Sequence, residues 1–257
     1  MKTEYSRAIV TGASSGIGAA IAKALCMKNI EVYAVARNKA KLKQVKNSLP
    51  HDKQKYFNLI TADISNSQGI ETILKSAQPI NKVDLLVNNA GVGISKSFDK
   101  HNDHEIDSII STNLTGTIKL TNGVLKNRSK KSKIHIIFVS SLAGKIGFPD
   151  LSVYSATKFG IEGFAQSLRT EYRNQKVKIS ILLPGVTDTN FFNIAKMDMP
   201  DKMHSPDNVA STLLKNINKS VVVVGGDKYF IKLIPFIPFH NRFKVLSITN
   251  KFERGGR

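Results

Sequence analysis

Short aliphatic runs alternate with longer amphipathic stretches along the whole 257-residue chain. The aliphatic runs predict strands, and apolar positions three and four residues apart predict helices between them. Continuous apolar strands separated by crossover helices are typical of a parallel sheet covered on both faces. The pattern therefore predicts an α/β fold with a doubly wound parallel sheet of about seven strands. The predicted strands are Ala8–Val10, Val32–Val35, Phe57–Thr61, Leu85–Val87, Ile134–Val139, Ile179–Leu183 and Val221–Val224, and the predicted helices lie near 16–28, 38–48, 67–77, 103–127, 152–174 and 207–218.

The organisation of the chain favours a single catalytic domain over residues 1–257. This length suits one α/β domain, and no internal repeat or Pro/Ser-rich linker interrupts the alternation. The least regular stretch follows Pro184-Gly185, and we predict residues 190–206 as a substrate loop because loops outside the carboxyl edge of such a sheet cover ligands. Residues 227–257 are predicted as a C-terminal extension.

The charge balance is strongly basic, with 38 Lys and Arg residues against 19 Asp and Glu residues and a formal net charge of +19. Such a field attracts nucleic acids, anionic membranes or acidic proteins. The basic residues are spread along most of the chain, and no helix-turn-helix, zinc-finger or RNP-type motif accompanies them. We therefore predict a solvated basic surface and no nucleic-acid partner.

The single cysteine, Cys26, cannot form an internal disulfide and indicates a reducing compartment. The N-terminus carries no secretory signal pattern, and no run of 18 apolar residues predicts a spanning helix. We expect a cytoplasmic protein. No metal site is predicted, because one cysteine excludes cysteine-based centres and His101 and His104 lie among acidic residues typical of an exposed helix start.

The C-terminal tail combines aromatic and basic residues. Five of the thirteen phenylalanines and six basic residues fall between Tyr229 and Arg257, with one acid, Glu253. Large apolar groups beside cations can seat a segment at an anionic membrane surface, so peripheral membrane contact is one prediction. A wall of the substrate pocket and a contact between subunits are the alternatives, and the sequence leaves all three open.

A glycine-rich loop joins the first predicted strand to the first predicted helix. It contains Gly12, Gly16 and Gly18. Glycines let the backbone turn sharply and approach a phosphate, while the start of the helix presents free N–H groups to a pyrophosphate. The loop therefore predicts a Rossmann-type dinucleotide site in which Ser14, Ser15 and Ile17 also contact the cofactor.

Five elements in order resemble the short-chain dehydrogenase/reductase family. They are the TGxxxGxG loop at 11–18, Asn88-Asn89-Ala90-Gly91, Asn113 with Ser141, the YxxxK motif of Tyr154 and Lys158, and Pro184-Gly185. The resemblance covers about residues 5–225. It implies hydride transfer between a nicotinamide cofactor and a carbonyl or secondary alcohol, and a homodimer or homotetramer.

Tyr154 and Lys158 are four residues apart in a predicted helix, so their side chains share one face. Their ordinary pKa values are about 10 and 10.4, so proton transfer near neutral pH needs assistance. The Lys158 ammonium favours tyrosinate and makes Tyr154 the proton donor or acceptor. The resemblance implies that Ser141 holds the substrate oxygen, that Asn113 anchors water in a relay to Lys158, and that Lys158 also binds the nicotinamide ribose.

Arg37, at the end of the second predicted strand, indicates NADP(H) rather than NAD(H). Arginine can pair with a 2′-phosphate, whereas an acidic residue there binds the free 2′-hydroxyl. A solvated basic helix start is the alternative reading. Asp63 resembles the aspartate that contacts adenine in the family, although it could equally cap a helix. By the same resemblance, the remaining cofactor contacts are Asn89, Ala90, Gly91, Pro184, Gly185, Thr187 and Thr189.

Together these features predict an NADP(H)-dependent oxidoreductase that acts on a carbonyl compound or secondary alcohol, with a hydrophobic substrate. A 3-oxoacyl-carrier-protein reductase is an alternative, because carrier proteins are acidic and this chain is basic. A non-catalytic protein that senses a dinucleotide is a second alternative, although sensing alone does not need Ser141, Tyr154 and Lys158 together.

Overall fold

A computed structural model describes residues 5–189, 191, 195 and 203–225 of the chain. The strands are β1 (Arg7–Thr11), β2 (Glu31–Ala36), β3 (Phe57–Thr61), β4 (Leu85–Asn88), β5 (Ile134–Val139), β6 (Val177–Pro184) and β7 (Val221–Val224). The α-helices described in full are α1 (Gly16–Cys26), α2 (Lys39–Asn47), α3 (Ser67–Ser76), α4 (Asp103–Ile110), α5 (Thr117–Asn127), α6 (Ser152–Glu171) and α7 (Pro206–Lys215). None of the helices in these ranges is both long and apolar enough to cross a membrane.

The seven strands form one parallel sheet in the order β3-β2-β1-β4-β5-β6-β7. β1 lies inside the sheet, with β2 and then β3 on one side of it. β4 lies on the other side of β1 and is followed there by β5, β6 and β7. Ile9 of β1 therefore pairs with Tyr33 of β2 on one side and with Leu86 of β4 on the other. This reversal opens a crevice at the carboxyl ends of β1 and β4, where ligands bind in such folds.

Each face of the sheet is covered by its own apolar core. Leu25 of α1, Leu42 of α2 and Leu213 of α7 are buried on one face. Ile73 of α3, Leu120 of α5 and Ile161 of α6 are buried on the other. Burying apolar side chains on both faces stabilises the sheet and explains why its strands consist of continuous apolar runs. The predicted doubly wound α/β fold is confirmed.

The helix predicted over 103–127 is wrong in one respect, because a π-helical segment at Ser111–Gly116 separates α4 from α5. Two contacts hold this widened turn. The Asn113 side chain hydrogen-bonds the backbone of Val92, and Gly116 lies so close to the carbonyl of Ile64 that no side chain would fit. Both partners lie far away in sequence, so the amphipathic pattern of the helix carries no sign of the interruption.

Other sequence predictions have mixed outcomes. Cys26 is fully buried on α1, where burial raises the pKa of its thiol to about 12. His101 does not belong to an exposed surface, because its side chain is only 1% exposed beside Glu105. The predicted extension at 227–257 lies outside the described residues, and so does most of the predicted substrate loop at 190–206.

A buried histidine links β5 to β6 at the amino end of the sheet. His135 is 2% exposed, and its Nδ1 and Nε2 lie 2.8 Å from Tyr5 Oη and Ser180 Oγ. The Ser180 hydroxyl donates to the carbonyl of Lys219, so its oxygen must accept from Nε2–H of His135. Nδ1 then accepts from the Tyr5 hydroxyl. The ring is thus neutral, and burial lowers its pKa to about 3.

We expect His135 to make the fold acid-sensitive. Between about pH 6.5, the ordinary pKa of histidine, and about pH 3, His135 is protonated in the unfolded chain and neutral in the folded chain. The free energy of unfolding therefore falls as the pH drops from about 6.5 toward 3. The slope from this group approaches about 1.4 kcal/mol per pH unit. Urea unfolding at several pH values between neutral and pH 5 should show a shallower slope in His135→Gln. Equal slopes in the two proteins would show that His135 does not carry the effect.

Candidate active site

Most of the predicted site residues lie at the carboxyl ends of β1, β4, β5 and β6 and on the first half of α6. Arg37 and Asp63 follow β2 and β3, and Asn113 lies in the π-helical segment between α4 and α5. Parallel strands bring these ends to one edge of the sheet, which is why residues from distant parts of the sequence meet there. One part of the edge presents the glycine loop and the other presents Ser141, Tyr154 and Lys158.

The glycine loop is packed too tightly for side chains. Gly12 and Gly16 have φ angles of +67° and +52°, in the left-handed region that favours glycine. A Cβ at Gly12 would lie 2.7 Å from Nδ2 of Asn89, and one at Gly16 would lie 2.9 Å from Cγ2 of Thr189. A Cβ at Gly18 would overlap the Asn89 side chain and the Gly12 carbonyl. The glycines therefore allow three loops to close around the start of α1.

The start of α1 suits a dinucleotide phosphate. Its N-cap residue, Ser15, makes no side-chain hydrogen bond to the helix, and the first turn contains no acidic residue. The first N–H groups of the helix and the positive end of its dipole therefore face the loop without a protein anion to compensate them. Such a terminus binds phosphate readily, and the residues present fit the pyrophosphate of a nicotinamide dinucleotide.

Thr11 is a residue that the sequence analysis passed over, although it opens the TGxxxGxG loop. Its hydroxyl accepts hydrogen bonds from the backbone N–H groups of Asn89 (2.9 Å) and Ala90 (3.0 Å) and donates to the carbonyl of Val87. The Asn89 amide returns a 2.9 Å hydrogen bond to the carbonyl of Thr11. These bonds fasten the Asn89-Ala90-Gly91 segment to the glycine loop, so Thr11 is a positioning residue.

Arg37 and Asp63 lie together beyond the ends of β2 and β3. The Arg37 guanidinium is largely exposed and lies 3.9 Å from a carboxylate oxygen of Asp63. The other carboxylate oxygen of Asp63 accepts from the N–H of Ser65, while Asn66 caps α3. Asp63 is therefore not the cap of that helix, and its carboxylate faces the arginine at the same edge of the sheet.

Ser141, Tyr154 and Lys158 form one cluster between β5 and α6. The Lys158 ammonium lies 5.5 Å from the centre of the Tyr154 ring and donates a 3.0 Å hydrogen bond to the carbonyl of Val139. Ser141 caps a short 3₁₀ turn by accepting from the N–H of Ala143, and its side chain also hydrogen-bonds Tyr154. The cluster therefore joins two hydroxyls by a hydrogen bond and places one ammonium beside the tyrosine ring.

Burial shifts both titratable groups of this cluster. It raises the pKa of Tyr154 to about 12, while the Ser141 hydrogen bond acts in the opposite direction. It lowers the pKa of Lys158 to about 8, and the negative charge of Glu162 opposes this shift. Tyr154 is thus a protonated donor at neutral pH, and Lys158 loses its proton far more easily than an exposed lysine.

Glu162 is a second residue that the sequence analysis missed. It follows Lys158 by four positions on α6, is 4% exposed, and forms a 2.7 Å ion pair with Lys145. Its other carboxylate oxygen is buried without a hydrogen-bond partner. The four-residue spacing Tyr154, Lys158, Glu162 was the available signal, since it continues the same helix face.

Asn113 reaches the site from the π-helical segment. Its side-chain oxygen accepts from the N–H of Val92 and its amide donates to the carbonyl of Val92, both at 2.8 Å. The amide also donates to the Thr157 hydroxyl at 3.2 Å. A Cβ at Gly91 would lie 3.3 Å from Oδ1 of Asn113 and 3.7 Å from Nζ of Lys158. Asn113 and Lys158 therefore flank the same small space.

The segment after β6 contributes the last predicted contacts. Thr187 is 5% exposed, and its hydroxyl donates to the carbonyl of Gly185 while its backbone pairs with His204. The hydroxyl is thus committed to its own turn. Thr189 has its methyl group against Gly16, and its hydroxyl accepts from the N–H of Phe191 at 3.3 Å. Thr189 therefore borders the glycine loop.

The model of the family described as short chain dehydrogenase matches residues 6–199. The chain belongs to the short-chain dehydrogenase family. It is an oxidoreductase with a site for a nicotinamide dinucleotide, and the resemblance noted in the sequence is confirmed. Within the described ranges, no group of three or more His, Cys, Asp or Glu side chains is placed to hold a metal ion.

Similar proteins span most of the chain. The ketoacyl reductase HetN of Nostoc sp. is 33% identical over 221 residues, which cover 84% of this chain and 77% of that protein. A short-chain dehydrogenase from Sphingobium yanoikuyae in complex with NADPH has a TM-score of 0.79 at 21% identity, covering 98% of this chain and 96% of its own. One from Burkholderia phymatum in complex with NAD has a TM-score of 0.81 at 18% identity, covering 91% and 94%. Both solved structures share the fold.

We expect Glu162→Gln to move the basic limb of the pH profile to lower pH. The Glu162 carboxylate raises the pKa of Lys158, so its removal lets that pKa fall below about 8. The Lys145 ammonium also loses its counter-charge and adds to the effect. The measurement is kcat/KM for the oxidoreductase reaction across the pH range, with Glu171→Gln at the exposed end of α6 as the matched control. An unchanged profile in Glu162→Gln would contradict the coupling.

Proposed function

We propose that this protein is an NADP(H)-dependent carbonyl reductase that acts on apolar ketones or aldehydes and, in reverse, on the corresponding alcohols. The observation that carries the proposal is the cluster of Ser141, Tyr154 and Lys158 at the same sheet edge as the uncapped start of α1. A dinucleotide sensor would need the second feature but not the first.

The proposed chemistry uses the two hydroxyls as a binding pair for the substrate oxygen. Ser141 donates a hydrogen bond to that oxygen, and Tyr154 transfers its proton to it as negative charge develops. The nicotinamide, when bound, supplies the hydride to the carbonyl carbon in reduction and accepts it in oxidation. The reduction therefore consumes one hydride and one proton and leaves Tyr154 as tyrosinate.

Lys158 restores the proton of Tyr154 in this proposal. The Lys158 ammonium is adjacent to the ring and has a pKa of about 8, so it stabilises tyrosinate and releases a proton near neutral pH. Asn113 adjoins the same space and holds the backbone of Val92. We assign it to the route by which a proton reaches Lys158 through water.

The cofactor contacts are proposed along the same edge. The pyrophosphate is assigned to the backbone of the glycine loop at Gly12, Ser14, Ser15, Gly16, Ile17 and Gly18. Asp63, Asn89, Ala90 and Gly91 are assigned to the adenosine and ribose side, and Pro184, Gly185, Thr187 and Thr189 to the nicotinamide carboxamide, with Lys158 on the nicotinamide ribose. The committed hydroxyl of Thr187 favours a backbone contact at that position.

Preference for NADP(H) is proposed from Arg37. Its guanidinium is largely exposed and 3.9 Å from Asp63, so its ion pair is weak and leaves its donors available for a 2′-phosphate.

The proposal also includes one catalytic domain, a homodimer or homotetramer, and a cytoplasmic location.

A 3-oxoacyl thioester is the second candidate substrate class, because HetN, a relative at 33% identity, is a ketoacyl reductase. Comparing simple aryl ketones with 3-oxoacyl thioesters of a carrier protein and of N-acetylcysteamine separates the two. A strong preference for the carrier-bound thioester would replace the simple ketone as substrate while leaving the hydride chemistry unchanged.

We expect Tyr154→Phe to reduce turnover by roughly 100-fold or more, because the ring remains and only the proton donor is lost. Binding of NADPH, measured by fluorescence titration, should be nearly unchanged. Tyr172→Phe, the same change just after α6, is the control and should keep its turnover. Full turnover in Tyr154→Phe would rule out the proposed proton transfer.

We expect Arg37→Asp to weaken NADPH binding by roughly 10- to 150-fold and to narrow or reverse the preference over NADH, because a charge-assisted hydrogen bond of about 1.5–3 kcal/mol is replaced by repulsion. Lys43→Asp makes a similar charge change on an exposed face of α2 and serves as the control. The measurement is the Kd of each cofactor. Equal affinities of the native protein for NADPH and NADH would make Arg37 an ordinary surface residue.

A further inference from the structure

An aromatic ring lies against the proposed catalytic tyrosine. The rings of Phe191 and Tyr154 have their centres 5.2 Å apart with an angle of 49° between their planes. This distance is in the range of favourable aromatic packing. Phe191 is half-buried and belongs to the segment after β6, whereas Tyr154 belongs to α6. The contact therefore joins the segment after β6 to the proposed proton donor.

Gly93 provides the space that the ring of Phe191 occupies. A Cβ at Gly93 would lie 2.6 Å from Cζ and 2.9 Å from Cε2 of Phe191, and 3.3 Å from Cδ2 of Tyr154. The φ angle of Gly93 lies outside the left-handed region, so backbone conformation does not require glycine there. Glycine is required at position 93 because the rings of Phe191 and Tyr154 occupy the space that a side chain would need.

The surrounding loops are fastened to one another. The N–H of Ser95 donates a 2.8 Å hydrogen bond to the carbonyl of Ala195, which ties the loop after β4 to the segment that carries Phe191. The N–H of Lys96 donates a 3.0 Å bond to the carbonyl of Asp150, which ties the same loop to the start of α6. The loop after β4, which contains Gly93, is therefore fixed at Ala195 and at Asp150.

Apolar side chains also pack next to this pair. Ala143 and Leu151 are buried in one cluster with Tyr154, and Phe148 and Phe191 pack against it. An apolar wall accepts the hydrocarbon part of a substrate, while Ser141 and Tyr154 provide the polar contacts that fix its oxygen. The size of the substrate is then limited by the bulkiest group beside the hydroxyls.

We propose that Phe191 sets the upper size of the substrate by packing on Tyr154 in the space left by Gly93, so that the enzyme takes carbonyl compounds with one small apolar substituent and rejects those with two bulky ones. This inference rests on the proposed carbonyl reductase function and names the substrate class of the same site. Phe191 is a specificity residue and Gly93 its positioning partner.

The first experiment measures substrate size. NADPH-dependent reduction is followed for acetophenone, propiophenone and butyrophenone, which differ only in alkyl length. In Phe191→Ala the ratio of kcat/KM for butyrophenone to that for acetophenone should rise by roughly tenfold or more, since each methylene that no longer clashes is worth about 10- to 200-fold. The same ratio in Phe191→Leu should lie between those of the native protein and Phe191→Ala. Phe98 is an exposed phenylalanine, and Phe98→Ala should leave the ratio unchanged.

The second experiment measures packing without activity. Gly93→Ala should lower the Tm by about 2–4 °C or more when Phe191 is present, because overpacking at this contact is destabilising. In the Phe191→Ala background, Gly93→Ala should lower the Tm much less, because the Phe191 ring atoms nearest to the new Cβ are absent. Gly147→Ala, where a Cβ meets no atom within 4 Å, is the control in both backgrounds.

The outcomes separate the two ideas. If the native protein binds NADPH and reduces none of the ketones or thioesters, the proposed function fails, and the size limit fails with it. If it reduces acetophenone and the size ratio does not change in Phe191→Ala, the function stands and the inference is overturned. Equal Tm losses for Gly93→Ala in both backgrounds would also overturn it.

Discussion

The hydroxyl of Thr11 is the contact on which the rest of the site depends. At the end of β1 it accepts from two N–H groups of the segment after β4 and donates to the carbonyl of Val87. One proton and two lone pairs are all that a hydroxyl has, so its capacity is used in full. The bonds join the two strands where the sheet reverses direction. They place the glycine loop beside Asn89 and, a few residues further on, bring Val92 to Asn113.

A second constraint is electrostatic. Tyr154, Lys158 and Glu162 succeed one another along a buried face of α6, and burial favours the neutral forms of both Tyr154 and Lys158. The carboxylate of Glu162 favours the charged form of Lys158, and Lys145 balances that carboxylate from the loop after β5. A buried charge without such a partner is costly. The arrangement keeps an ammonium beside the tyrosine at neutral pH while leaving its proton easy to release.

Much of the site was visible in the sequence because the motif residues are close in sequence or sit directly after strands. Tyr154 and Lys158 are one helical turn apart, and Glu162 repeats the same spacing. The contacts that sequence reading missed join distant segments. Gly93 meets Phe191, and Asn113 meets Val92, through loops whose paths depend on the assembled sheet. The π-helical turn at Ser111–Gly116 was missed for the same reason.

The sequence by itself determined the strands, the parallel sheet and the family, because aliphatic runs, crossover helices and glycine spacing are local patterns that any fold of this class must satisfy. Tertiary structure alone decided that Asp63 faces Arg37 and that Phe191 lies on the Tyr154 ring. Those outcomes depend on distances between segments that are far apart in the chain, and a periodic pattern contains no information about such distances.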